Sequence, residues 1–145
     1  MDELYELLHK AQTSLFCLFQ KTWVYHWNVV GSDFPQLHEL FGNQYETMFG
    51  EIDRLTENMR YLRMKAIGPI SMVVETSQIP EATNSPTAES MVSQLLADNK
   101  TFCEICAKIS EASEKQRQYA TANLVQDLME AHGKNVWMLR SFLKE

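Results

Sequence analysis

From Asp2 to Val29 the chain runs without a glycine or a proline, and its inward-type residues return every three or four positions. They are Leu4, Leu8, Ala11, Leu15, Leu18, Thr22, Tyr25 and Val29. A stripe of that period, held over so many turns, predicts one long amphipathic helix that must bury one face against something else. Gly31-Ser32 ends it. Few folds begin with a helix of that length, and most of those are bundles.

The rest of the chain follows suit. A second pattern starts near Pro35, with Asp33 in cap position, and continues through Leu37, Phe41, Tyr45, Met48, Ile52, Leu55, Met59 and Leu62 until Gly68-Pro69. A connection from about Gly68 to Pro86 carries three prolines, and its apolar middle, Ile70 to Gln78, predicts a short packed helix. A third long helix is predicted from about Thr87 to Ser110, with Ser85 or Thr87 as its cap, and a fourth from about Ala120 to Leu143. Short first loop, long middle connection and short last loop predict an all-α chain. It is a four-helix bundle with one long crossover carrying a short extra helix, the connectivity of ferritin-like folds. At 145 residues, 45% of them hydrophobic, residues 1–145 are read as a single domain.

Charge narrows the function. Thirteen basic and 19 acidic residues leave a formal −6, which argues against a surface built to grip nucleic acid and suits one that attracts cations. Met1-Asp2-Glu3 shows neither the basic nor the apolar part of a secretory start, no stretch reaches the length of a membrane span, and three cysteines make no even framework. The expectation is a soluble protein of a reducing compartment, the cytoplasm.

The chemistry gathers in the first half. His26 sits near the end of helix one and His38 near the start of helix two, across a short loop; Asp53 and Glu57 lie four apart on helix two and share a face. Imidazole with carboxylate suits iron, zinc or manganese. His38 and Asp53 are fifteen residues apart on one helix, about 22 Å at the helical rise. One ion cannot touch both within a single chain. If all four residues are ligands, a two-fold dimer with antiparallel second helices must bring the histidines of one copy to the acids of the other and cradle a shared cation, twice. Without a metal, the same residues read as helix-end histidines capping carbonyls and an Asp/Glu pair in reach of Arg54 and Arg60.

The segment His26-Trp27-Asn28-Val29, then Gly31, Phe34 and Leu37-His38-Glu39, then Tyr45, Ile52-Asp53 and Glu57, closely resembles the Dps family. These are the mini-ferritins, named as DNA-binding proteins from starved cells. The C-terminal runs Ala120-Thr121-Ala122, Asp127-Leu128 and Trp137-Met138-Leu139-Arg140 also look like that family's last helix, so the resemblance covers nearly the whole chain. It implies a ferroxidase that oxidises Fe(II), preferentially with hydrogen peroxide and otherwise with dioxygen, and stores Fe(III) in a hollow dodecamer. It also implies that His26, His38, Asp53 and Glu57 are both the metal ligands and the catalytic residues, with iron as the metal, shared across two-fold interfaces.

The departures carry expectations too. Four residues after the second histidine, where the family usually has an acid, stands Gly42, so a second iron position should be weaker or water-filled. The acids that line the family's ion-entry pore align with Gln118 and Asn123, and Asp127 alone is kept nearby. Trp27 could donate an electron or simply fill an interface. Trp23, Tyr25 and Trp137 read as core or interface, Cys17, Cys103 and Cys106 as buried small hydrophobes, and His9 and His132 as surface or capping residues. Arg60, Arg63 and Lys65 are the only basic cluster, too little for strong binding to nucleic acid, so no DNA binding is expected at physiological salt. Besides the enzyme, two functions stay open: a structural cage with weakened or absent ferroxidase activity, and a DNA-protecting architectural protein.

Overall fold

The computed structural model describes residues 2–144. Five helices follow in order: α1 (Asp2–Asn28), α2 (Phe34–Tyr61), α3 (Ile70–Thr76), α4 (Ala88–Lys115) and α5 (Tyr119–Phe142). The four long ones form the bundle. α1 packs on α2 and α4, and α5 packs on α4 and more thinly on α2, while α3 lies against α1. Leu4, Leu8, Leu15, Leu18 and Tyr25 of α1 meet Leu37, Phe41, Met48 and Leu55 of α2 in one core with Phe102, Ile109, Leu128 and Leu139. The stripe read from the sequence is therefore the face that folding buries.

The helix ends explain where sequence expectation and structure part. α2 stops at Tyr61 and α4 runs on to Lys115, five residues past the expected end at Ser110. Both close in the same way. Arg63 and Arg117 take left-handed conformations, φ 66° and 60°. The amides of Arg63 and Met64 return to Arg60 and Met59, and those of Arg117 and Gln118 to Glu114 and Ser113. These are Schellman closures with arginine where glycine is usual, so no residue type announced them. At the other ends, the Thr87 hydroxyl accepts from Ser90 N at 3.1 Å, and Asp33 stands at the N-cap of α2 without a side-chain bond. The expected Asp33 cap is a cap by position only.

The crossover, residues 62–87, is fastened along α1 by side chains. The Gln12 amide donates to Ile67 O at 2.9 Å and accepts from Ile67 N at 3.0 Å, as a neighbouring strand would. The Tyr5 hydroxyl donates to Leu62 O, and Ser14 Oγ accepts from Gln78 N. Buried Lys21 reaches Pro80 O at 3.2 Å and pairs with Asp98 at 2.8 Å. Burial pushes the Asp98 carboxyl above its usual range, with the Lys21 ammonium pulling the other way.

His132 corrects an expectation. It is not a surface residue: it is fully buried at the centre of the bundle. Its Nδ1 lies 2.7 Å from Asn99 Oδ1 and its Nε2 lies 2.7 Å from Glu51 Oε1. Asn99 Nδ2 is committed to Leu95 O and Asn135 donates to Asn99 Oδ1, so that oxygen faces the ring as an acceptor and Nδ1 carries a proton. Glu51 and Gln44 fall on the same buried stripe of α2 as Leu37, Phe41, Met48 and Leu55. Their polarity keeps them off the stripe that the sequence displays, whose Tyr45 and Ile52 are half-buried against the same core.

Candidate metal centre

Gly31, at φ +115°, permits the tight turn that a side chain would strain. The turn returns α2 alongside the last turns of α1 and sets His26 against His38. His26 Nδ1 lies 2.6 Å from His38 O, and His38 Nδ1 lies 2.8 Å from His26 O. A carbonyl only accepts, so each Nδ1 must carry the proton and donate it. Each ring is thereby held in one tautomer and one orientation, with the Nε2 lone pair free. That is the arrangement in which histidines bind metals. The metal-free reading, histidines capping carbonyls, and the metal reading describe the same bonds.

The rings also stack, with centroids 3.8 Å apart and planes inclined by 14°. Phe34 stacks on His38 at 5.0 Å and Tyr45 tilts against His26 at 5.2 Å. Imidazole lone pairs lie in the ring planes. Two nearly parallel planes do not converge on one ion at the 2.0–2.1 Å of a metal–nitrogen bond. As the rings stand here, their ring planes run side by side rather than toward a common point.

Asp53 and Glu57 are exposed on α2, away from the histidine pair. Asp53 borders an open apolar recess of about 610 Å³, walled by Phe16, Phe19, Phe49, Ile52 and Ile70. Phe49 and Ile70 stand 70% and 74% exposed. Among the described residues, no three histidines, cysteines or acids of one chain come together as a metal site. If all four residues are ligands, the acids must come from a second copy, since His38 and Asp53 stand about 22 Å apart along α2. Arg54 does not neutralise this acidic pair; it reaches Asp127 at 3.0 Å across α2 and α5. That pairing offsets the one acid kept near Gln118 and Asn123.

Beside the histidines runs an aromatic series. Trp23 stacks on Tyr45 at 5.3 Å and meets Trp27 at 4.7 Å, and Trp27 is 56% exposed. Tyr25 is core, and its hydroxyl accepts from Thr83 N. Cys17 and Cys106 are buried and Cys103 half-buried. Burial pushes all three thiols above their ordinary range, in keeping with small packed residues. His9 lies within bonding distance of Lys65 O at the crossover's start. Among the described residues no helix is long and apolar enough to cross a membrane.

The family model for the ferritin-like domain matches residues 5–145. A low temperature-induced protein of Nostoc is 31% identical over 95% of this chain and 78% of its own length. The DNA protection during starvation protein of Brevibacillus brevis is 30% identical over 95% of this chain and 93% of its own. The crystal structure of a Dps protein from Bacillus brevis superposes with a TM-score of 0.93 at 29% identity, covering 98% of this chain and 95% of that one.

Proposed function

Because the chain belongs to the ferritin-like domain family, and within it to the Dps proteins, we propose that it is a ferroxidase and iron-storage mini-ferritin. It oxidises Fe(II), with hydrogen peroxide as preferred oxidant and dioxygen as the alternative, and keeps the ferric product inside a cage of twelve copies. The observation that carries the reading is the reciprocal lock of His26 and His38, which leaves two Nε2 donors free and aimed. Asp53 and Glu57 of a second copy complete the donor set across a two-fold contact. The exposed apolar recess beside Asp53 is the surface that such a contact would cover.

Iron is substrate and cargo here. Two Fe(II) give up one electron each; one hydrogen peroxide takes both with two protons and leaves as two waters. The chain's own part is to hold the imidazoles in their donor tautomer and to set ions where the oxidant can reach them. Twelve copies at −6 would carry about −72, a field that draws Fe(II) inward. Protection of DNA, named for the Brevibacillus relative, then follows from removing iron and peroxide rather than from gripping the duplex, which the same charge opposes.

The test is iron titration. On addition of Fe(II) and peroxide, ferric absorbance should grow rapidly in the parent protein and at least ~10-fold more slowly in His38→Ala and in Asp53→Ala. Equal rates in all three would leave an inert cage.

A further inference from the structure

Gly42 lies on α2 one turn after His38, and its neighbour in space is the His26 ring. A Cβ built there would stand 3.0 Å from His26 Cε1 and 3.1 Å from His26 Nδ1. Ordinary carbon contacts lie at about 3.5–4.0 Å, so one methyl group would press the ring by several tenths of an ångström. The ring has little freedom to yield. It is held by the 2.6 Å bond from Nδ1 to His38 O, by the 3.8 Å stack on His38, and by Tyr45 at 5.2 Å. Gly50 and Gly133, also helical, have nothing within 4 Å of such a Cβ. The close approach is particular to position 42.

We propose that Gly42 is a positioning residue of the centre: the space left by its missing side chain is the space the His26 imidazole occupies. In this chain the ring has settled into the room that an acid's side chain takes in other members of the family. A carboxylate placed at 42 here brings its Cβ against the ring as it now sits, so it gains an oxygen donor only by shifting His26. From this end of the chain the centre draws two imidazole nitrogens, and the bare backbone at 42 keeps them in register. Such a pair, poor in carboxylate, suits divalent ions that accept imidazole. The proposal rests on the reading of His26 as a metal donor.

The experiment compares the full-length parent, Gly42→Ala, Gly42→Asp and, as control, Gly133→Ala. It uses crystal structures and anaerobic titration with Co(II), whose visible bands report its ligands. In Gly42→Ala the His26 Nδ1 to His38 O separation should open past the hydrogen-bond limit of about 3.2 Å. Co(II) affinity should fall about 10–100-fold with altered bands and no loss of thermal midpoint, while Gly133→Ala matches the parent. Gly42→Asp should likewise bind Co(II) more weakly and gain no further equivalent. An unmoved His26 with parental Co(II) binding in Gly42→Ala overturns the proposal, as does an added equivalent in Gly42→Asp with His26 in place. Should the parent itself bind no Co(II), the proposed function fails, and the ring position alone decides: displaced upholds the role of Gly42, unmoved overturns it.

Discussion

Glu51, His132 and Asn99 place a carboxylate, an imidazole and an amide in the buried interior of the bundle, and each meets a partner. Removing one member leaves the others stranded in a medium that penalises unpaired polar groups. His132→Ala should cost about 3–5 kcal/mol, because it abandons the buried Glu51 carboxylate. Glu51→Gln should cost less, about 1–2 kcal/mol, since the new amide NH2 can donate to Nε2 of the neutral ring. Urea unfolding midpoints of the two variants, read against the parent slope, check both values and their order. Neither residue was legible as a pair in the sequence, because they lie far apart in the chain and nothing local links them. His26 and His38 were legible as neighbours because one short loop joins them, so their meeting needs no knowledge of the remaining fold.

At the scale of elements, stripes and stops behave differently. A stripe integrates many residues, and each long helix was readable from its apolar period. A stop depends on one or two residues. The Schellman closures at Arg63 and Arg117 put a Cβ where glycine is favoured, so the expected end of α4 fell short. That misfit is also a stability reserve. Arg117→Gly removes a left-handed cost of about 1–2 kcal/mol for a residue with a side chain and gives back part of it as chain entropy. A net rise of up to about 1 kcal/mol is expected, read as a higher thermal midpoint with unchanged helical circular dichroism. The crossover was readable as long but not as fastened. Gln12, Ser14 and Lys21 lie within the α1 stripe's neighbourhood, and only folding reveals that their polar ends serve residues 67, 78 and 80.

The whole molecule exposes what a lone chain has no reason to expose. Phe49 and Ile70 border a broad apolar recess beside Asp53, and on the proposed reading a second copy closes it. A charge planted there should prevent that closure. Phe49→Glu is expected to keep its helical signal, to sediment as smaller species than the parent, and to lose most of its iron oxidation together with assembly. Sedimentation velocity and the peroxide assay on the same sample check the link. Parental mass with parental activity would detach this face from both. That His38 and Asp53 of one chain stand too far apart to share an ion was within reach of the sequence, because a helical rise and a residue count suffice. That the two imidazoles lie face to face was not, because ring orientation is set by carbonyls no pattern displays.

The mutual hold of His26 and His38 has a mechanical corollary. Each imidazole is tethered to the backbone of the helix that carries the other, so the two bonds pin the last turn of α1 to the first turns of α2 as well as orienting the rings. A substitution that takes away either ring therefore also takes away one of the two ties across that corner.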